Sequence, residues 1–434
     1  MRAGLAARLR RPAVLRGRGL GGATLLFLGF VLASAVAQGY LMLLSRALPP
    51  VEYGVLVTLT SLSYGLTVLM RTSQAWVIRA VADGEGAGRA RGVFGAAMRT
   101  LVPPGIALLA AAWVTSGWVA GFLRMDATAP LFVLGLYAFA AFLEPVGIGL
   151  LLGLGRLRLA GTVIVLEAVL RLAVGSALVL LGLGVAGALF GYAAGSFGAF
   201  AIALWPLRSH LRKRPAGSAP ASTTGVRLDR HTFLALVMNA CLLILMTMDQ
   251  AAVKHYFSDE VAGNFAVAFL LGQVIAVSAM SLGWVVFTRS AALPPGDPGR
   301  GALLSKALLA VGGIAGALTT GYLLAPELAV AIMGGRRYAL AGGYVGWVGI
   351  EMTLVSLVYV QAYYQMSIRQ VQAAGPLALA AALEVALLWI HHDSVQQLLL
   401  GHILVMTGLL GWVSILSWRT LRRRSSGSIG AMVP

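Results

Sequence analysis

The sequence predicts an all-α polytopic membrane protein with about 12 transmembrane helices in two parallel six-helix bundles. The first observation behind this prediction is composition: 59% of the 434 residues are hydrophobic and only 11% are charged, whereas soluble proteins carry about 25% charged residues. The mean hydropathy of +0.85 agrees with a membrane protein. The second observation is a one-sided distribution of basic residues, and the third is a weak internal repeat. Composition alone excludes an ordinary soluble protein.

Twelve apolar runs are long enough to cross the bilayer, which takes roughly 20 residues for about 30 Å of hydrocarbon. We expect the spans at 21–44, 54–78, 101–122, 129–152, 160–181, 184–206, 232–255, 263–287, 304–324, 341–364, 373–391 and 396–417. The fifth and sixth spans are separated by little more than Gly182 and Leu183. The orientation of the second half therefore depends on this division.

Basic residues orient the spans. The chain has 33 Lys and Arg against 15 Asp and Glu, a net charge of +18. When the N-terminus is placed inside, most basic residues fall on inner segments, as the positive-inside rule requires. The exceptions are Arg171, within a span, and Arg46, Arg124, Lys254, Arg336 and Arg337 on outer segments. Both termini are therefore predicted to be cytoplasmic, with the chain in the plasma membrane and no nucleic-acid partner.

The start of the chain resembles a signal peptide, because a basic segment precedes an apolar run. We favour an uncleaved first span, since the apolar run continues through Leu44. A single cysteine, Cys241, excludes an internal disulfide. The outer-turn sequence His391-His392-Asp393 has no fourth ligand nearby and is interpreted as a solvated turn. Without a phosphate-binding loop or a catalytic triad, we expect no enzyme activity, no catalytic residues, no metal and no cofactor.

One long hydrophilic linker divides the chain into two sets of six spans. An even number of spans in each half predicts a parallel repeat. Gly263 follows Gly54 by 209 positions and Arg289 follows Arg79 by 210, a nearly constant offset. The predicted segments are a basic cytoplasmic N-terminus (1–20), an N-terminal bundle (21–206), a cytoplasmic linker (207–231), a C-terminal bundle (232–417) and a cytoplasmic tail (418–434).

Four short motifs resemble one family of transporters. Residues 44–54 read LSRALPPVEYG and resemble the first hairpin of bacterial polysaccharide-biosynthesis membrane proteins; residues 248–263 resemble the matching hairpin of their second half. Residues 153–158 are similar to their short basic inner loop, and residues 334–338 to the segment before span ten. The chain thus resembles the oligosaccharide flippases of the multidrug, oligosaccharidyl-lipid and polysaccharide exporter superfamily.

This resemblance implies two six-helix bundles around a central cavity that opens alternately to each side of the bacterial inner membrane. The implied substrate is a lipid-linked oligosaccharide, an undecaprenyl-diphosphate glycan unit, and the implied partners are membrane lipids and a polysaccharide assembly complex. The spans contain more acids than bases, which departs from the basic cavity expected for an anionic substrate. The alternatives are a cation-coupled multidrug exporter of the same superfamily and a membrane-embedded glycan polymerase or ligase.

Ionisable residues within spans are the candidate site residues, because each costs at least about 2.5–3.5 kcal/mol at the bilayer centre. The ion-coupling candidates are Asp249, Glu384, Glu351 and Glu144. The substrate-binding candidates are Arg71, Arg171, Glu167, Gln361 and Tyr363.

Each candidate also has a structural interpretation. Glu167 and Arg171 have the i,i+4 spacing of a neutralised pair on one helix. Arg71 is placed either to bind a diphosphate or to snorkel to the interface. Asp249, at the usual Asp position of the family, has Lys254 as an alternative partner.

Overall fold

The computed structural model describes residues 20–82, 87–208, 230–294, 297 and 299–429, and all regular elements within these residues are helices. Twelve of the helices are long. They are α1 (Leu20–Ala47), α2 (Pro50–Ala82), α3 (Ala87–Val114), α4 (Ala129–Gly153), α5 (Leu157–Leu178), α6 (Gly184–Leu204), α7 (Arg230–Tyr256), α8 (Asp259–Ala292), α9 (Gly299–Leu324), α10 (Gly342–Ser367), α11 (Ala374–Ile390) and α12 (Val395–Ile429). The predicted N-terminal segment up to residue 19 and most of the predicted linker lie outside the described residues.

Each predicted span overlaps one of these helices, so the all-helical membrane fold is confirmed. Within the described residues, nine helical segments are long and apolar enough to cross a membrane. One of them, Leu157–Leu207, contains both α5 and α6, and the apolar helix Ala374–Ile390 is shorter than the others. The chain is a multi-pass membrane protein.

The predicted ends are less accurate than the predicted positions. The third span was expected at 101–122, but α3 begins at Ala87 and ends at Val114, and a separate short helix follows at Ser116–Phe122. Similarly, α12 continues through the basic tail to Ile429. Hydropathy locates the part of a helix that lies in hydrocarbon, whereas the helix itself continues into the polar region beyond it.

The division between the fifth and sixth spans is a sharp turn. Gly182 has a φ of +86° and Gly184 a φ of +50°, in the left-handed region that glycine adopts without steric cost. Beyond the turn, α5 and α6 pack against each other. The two spans are therefore separate helices, as predicted.

The chain forms two compact units. Unit 1 comprises Met1–Leu48 and Ser63–Val226, and unit 2 comprises Pro49–Leu62 and Arg227–Pro434. In unit 1, α4, α5 and α6 contact one another, while α1 packs on α5 and α3 on α4. In unit 2, α10 contacts α7, α8, α9 and α12, and α11 contacts α7 and α12. The first part of α2 thus belongs to unit 2.

This first part of α2 approaches α8 closely through the two glycines that the internal repeat aligns. A Cβ atom at Gly54 would lie 3.0 Å from the backbone nitrogen of Gly263. Nearby, Gln250 Nε2 donates a hydrogen bond to Thr58 Oγ1 at 3.0 Å. Only glycine allows the backbones of two helices to come this near.

Candidate functional site

Four ionisable side chains from four helices meet inside unit 2. They are Asp249 on α7, Glu351 on α10, Glu384 on α11 and His402 on α12, and each is only 1% exposed. Each of these residues stands in an apolar stretch of its own helix. Because the four helices contact one another, the isolated polar positions converge on one point. We refer to these four residues as the acid–histidine cluster.

His402 lies at the centre of the acid–histidine cluster. Its Nδ1 atom is 3.0 Å from Glu384 Oε1, 3.2 Å from Asp249 Oδ2 and 3.9 Å from Glu351 Oε1. An imidazole nitrogen carries at most one proton, so it can satisfy only one of these acceptors at a time. Both carboxylate oxygens of Glu351 and both of Glu384 lack a hydrogen-bond donor within the part of the chain that the structure describes.

The charge of the acid–histidine cluster does not balance without an added cation or proton. A protonated imidazole supplies one positive charge against three carboxylates. Uncompensated charge in a dry interior is strongly unfavourable, because the desolvation of each ion is not repaid. The arrangement is therefore suited to binding a cation or protons between the four helices.

A small cavity lies beside Glu384. Its volume is about 10 Å³, which is room for about one water molecule. Its lining extends from Glu384 to His391 and Gln397, at the turn between α11 and α12. The cavity therefore lies on the side of the acid–histidine cluster that faces the α11–α12 turn, where a small ion could enter.

A second polar cluster lies inside unit 1. Arg171 and Glu167 form the predicted i,i+4 ion pair on α5. The Arg171 guanidinium lies over the Tyr192 ring, 4.5 Å from its centroid, in a cation–π contact. The Tyr40 hydroxyl donates a hydrogen bond to the Ala188 carbonyl at 2.8 Å, and Glu144 interacts electrostatically with Glu167 and Arg171. We call these five side chains, namely Tyr40, Glu144, Glu167, Arg171 and Tyr192, the arginine cluster.

Gln361 and Tyr363 lie in neither cluster. Gln361 donates a hydrogen bond to Ser414 Oγ at 3.0 Å, which ties α10 to α12. The Tyr363 hydroxyl donates to Asn239 Oδ1 at 3.0 Å, and its ring stacks on a neighbouring tyrosine. Arg71 lies on α2, and its side chain is outside the described part of the chain.

One predicted alternative is wrong. Lys254 was considered a partner for Asp249, but it forms an ion pair with Asp259 at the start of α8. On a helix, five residues place side chains on different faces, whereas Asp259 follows the turn and reaches back. Asp249 is consequently left to His402 and the two glutamates.

Sequence reasoning missed His402. His402 is not singled out in the sequence, because imidazole is counted as neutral when charged residues within spans are listed. The signal that marks it is the one used for the acids, an ionisable residue in the middle of an apolar span. Applied to histidine, the same criterion identifies His402 within α12.

The two clusters occupy corresponding helices of the internal repeat. Asp249 on α7 follows Tyr40 on α1 by 209 positions, and His402 on α12 follows Tyr192 on α6 by 210. These offsets equal those of the Gly54/Gly263 and Arg79/Arg289 pairs. Tyr40 and Tyr192 are thus the counterparts of Asp249 and His402 in the predicted repeat, whereas the other members of the two clusters do not align at this offset.

Three residues of the acid–histidine cluster also meet the geometric requirement for a metal site. One ligand atom each from Asp249, Glu384 and His402 lies within 4.8 Å of the others. Nitrogen and carboxylate oxygen are common ligands for divalent transition metals.

Comparison with known proteins supports the fold. No protein-family model and no curated protein sequence matches the chain. A multidrug resistance MATE family transporter of the MOP superfamily, in an inward-facing conformation, matches with a TM-score of 0.70 at 14% identity, covering 90% of this chain and 95% of that one. The chain therefore shares the fold of this transporter.

Two further transporter structures also match the chain. The lipid II flippase MurJ, in an inward closed conformation, matches with a TM-score of 0.67 at 10% identity, covering 94% of this chain and 91% of that one. A MOP superfamily transporter from Pyrococcus furiosus matches with a TM-score of 0.58 at 16% identity, covering 95% of this chain and 98% of that one. The TM-scores show a shared fold, whereas identities this low do not identify the substrate of this chain.

Proposed function

We propose that the chain is an alternating-access transporter that uses a cation gradient to flip a lipid-linked oligosaccharide across the bacterial inner membrane. The oligosaccharide is an undecaprenyl-diphosphate glycan unit destined for cell-surface polysaccharide, and both termini are cytoplasmic. The observation that carries the proposal is the acid–histidine cluster, which joins four helices through ionisable groups that lack enough internal partners. A bound cation stabilises its three carboxylates, and a transporter can couple the binding of that cation to a conformational change.

The acid–histidine cluster supports coupling because its ligands lie on different helices. A ligand shifts a conformational equilibrium only by the difference in its affinity for the two states. A cation that binds Asp249, Glu351 and Glu384 together binds best when α7, α10 and α11 are at their present spacing. Movement of these helices relative to one another separates the ligands, weakens cation binding and releases the ion. Cation binding and helix movement are thereby linked.

The cavity beside Glu384 supports exchange of this cation with one side of the membrane. The cavity extends to the α11–α12 turn, which the charge distribution predicts to be outside. A cation entering from this side meets Glu384 first. An inward cation gradient would then fill the acid–histidine cluster from outside and drive export.

The choice of a lipid-linked oligosaccharide as substrate is based on the hairpin motif at 44–54 and on a fold shared with a lipid II flippase. The diphosphate of this substrate would bind the guanidinium of Arg171 or Arg71 through charge-assisted hydrogen bonds. Arg171 is already paired with Glu167, so the diphosphate would have to replace that carboxylate.

A second candidate function is export of organic cations. It is favoured by the excess of acids within the spans, since Asp249, Glu351 and Glu384 share one histidine, and Glu144 and Glu167 share one arginine. A glycan polymerase or ligase is less well supported, because the acids of the acid–histidine cluster are 1% exposed and a glycan cannot reach them.

Transport into proteoliposomes separates these functions. Purified protein would be tested with a fluorescent undecaprenyl-diphosphate oligosaccharide and with a fluorescent organic cation, each with and without an imposed proton or sodium gradient. We expect gradient-dependent flipping of the glycan lipid and no movement of the organic cation. Movement of the organic cation alone would establish the second candidate, and movement of neither substrate under any gradient would contradict the proposal.

A further inference from the structure

The geometry of the acid–histidine cluster points to a specific ligand. We propose that Asp249, Glu384 and His402 bind one divalent d-block cation of the zinc type, with Glu351 as the fourth ligand. The binding site does not depend on the proposed function, whereas its effect on transport does.

The spacing of the ligand atoms fits such an ion. Zinc bonds to nitrogen and carboxylate oxygen are about 2.0–2.2 Å long, so neighbouring ligand atoms of a tetrahedral site lie about 3.3–3.6 Å apart. His402 Nδ1 lies 3.0 Å from Glu384 Oε1 and 3.2 Å from Asp249 Oδ2. Glu351 Oε1 is slightly farther, at 3.9 Å. Asp249, Glu384 and His402 thus lie near the spacing of three tetrahedral ligands, whereas Glu351 would have to move closer to become the fourth.

The ligand types select the class of metal. Imidazole binds zinc, copper, iron and nickel well, whereas magnesium and calcium prefer sites made of oxygen alone. A purely carboxylate site at this position would favour the harder cations. His402 replaces one oxygen of such a site with nitrogen and shifts its preference towards the d-block ions.

The charge of a divalent ion also fits. Two positive charges cancel two of the three carboxylates, and neutral His402 is a ligand that needs no compensation. A monovalent ion would leave two of the three carboxylates uncompensated in a site that is 1% exposed, which is more costly.

An independent observation points to a missing ligand. Both oxygens of Glu351, both oxygens of Glu384 and Asp249 Oδ2 are buried without a hydrogen-bond partner in the described residues. Buried polar atoms are nearly always satisfied in native proteins. Five buried acceptor atoms within one cluster therefore favour a bound cation or protons among them.

The bound ion would arrest transport. It would join α7, α10, α11 and α12 through strong bonds, and it would occupy the atoms that the coupling cation uses under the proposed function. Micromolar zinc should therefore inhibit a transporter whose cycle requires these helices to separate.

Metal binding to the purified full-length protein tests the site without any transport assay. The chain would be desalted after exposure to zinc, and bound metal would be measured by mass spectrometry. Cobalt(II) would serve as a spectroscopic probe, because a tetrahedral nitrogen–oxygen site gives it visible absorption bands. We expect one ion per chain, unaffected by excess magnesium or calcium.

Variants assign the metal to its ligands. His402→Ala and Glu384→Gln should each weaken zinc binding by at least about 100-fold, since loss of even outer-shell partners costs 10–100-fold. The matched control is His392→Ala, because His392 lies at the α11–α12 turn stacked on Tyr256 and is the other site to which zinc would bind. Each variant would be checked for a monodisperse elution profile, and Asp249→Asn provides a further ligand variant should one of the others fail to fold.

The outcomes are distinct. Binding that disappears in His402→Ala and persists in His392→Ala supports the site. Binding that persists in His402→Ala and disappears in His392→Ala would overturn it, as would the absence of any retained metal. Retained metal without inhibition of transport would leave the site standing and contradict its role in the proposed transport cycle.

Discussion

The two units carry polar clusters on corresponding helices, but the clusters are built differently. In unit 1 the ion pair of Glu167 and Arg171 lies on one helix, one turn apart, and balances its own charge. In unit 2 the partners of His402 come from three other helices and leave an excess of negative charge.

The two arrangements respond differently to helix movement, so one suits structural stability and the other suits coupling to a conformational change. A pair within one helix is preserved when that helix moves as a rigid body, so its energy does not depend on the conformational state. The energy of a cluster that spans four helices changes whenever those helices move relative to one another. Unit 1 thus has an ion pair within one helix, and unit 2 has a cluster that depends on the arrangement of four helices.

The largest expected effect is the loss of coupling when the centre of the acid–histidine cluster is removed. His402→Asn removes the imidazole shared by Asp249, Glu351 and Glu384, so the arrangement of the three carboxylates around one group is lost. Gradient-driven transport in proteoliposomes should fall to the level of protein-free vesicles. A matched histidine control, His392→Asn at the α11–α12 turn, should retain transport; equal loss in both variants would contradict the role of the cluster.

The second prediction tests whether Glu167 and Arg171 neutralise each other without a further essential partner. Arg171→Met leaves Glu167 as a buried unpaired carboxylate and should destabilise the protein by about 3 kcal/mol. The double variant Glu167→Gln/Arg171→Met should recover most of this loss. Thermal unfolding in detergent measures the cycle, and a double variant as unstable as the single one would show that Arg171 has another essential partner.

The third prediction concerns the two glycines that the repeat aligns. Gly54→Val places a side chain where a Cβ atom would already lie 3.0 Å from the backbone of Gly263. Overpacking of this kind costs about 1–3 kcal/mol. Gly39→Val on α1 is the matched control, because nothing lies within 4 Å of its Cβ position. Equal melting temperatures for the two variants would contradict the close approach of α2 and α8.

The smallest expected effect belongs to Tyr40, the repeat equivalent of Asp249. Tyr40→Phe removes the hydrogen bond from its hydroxyl to the Ala188 carbonyl, which contributes about 1 kcal/mol. The melting temperature should fall slightly, and gradient-driven transport should stay unchanged. Loss of gradient dependence in this variant would mean that both clusters take part in coupling.

The features that the sequence predicts well are local ones. Apolar runs define the twelve long helices, because burial in hydrocarbon depends on each segment alone. The Glu167–Arg171 pair follows from helical spacing within α5. Gly182 and its neighbours similarly identify a turn through their backbone freedom.

The acid–histidine cluster depends on information that is not local. Asp249, Glu351 and Glu384 are each recognisable as unusual within a span, but their meeting depends on which faces of four helices converge. Lys254 shows the limit, since it is near Asp249 in the sequence and yet pairs with Asp259 across a turn. His402 is not among the predicted residues because histidine is neutral in a count of charged residues. Its offset of 210 positions from Tyr192 is the sequence feature that relates it to a distant residue.

We propose that the acid–histidine cluster couples cation movement to transport while the arginine cluster does not. The most direct test is substrate-dependent cation flux into proteoliposomes, measured for the wild type, Asp249→Asn and Tyr40→Phe with the transported lipid as substrate. Cation flux is expected in the wild type and in Tyr40→Phe, and none in Asp249→Asn although that variant still binds substrate. Undiminished flux in Asp249→Asn, or its loss only in Tyr40→Phe, would contradict this assignment.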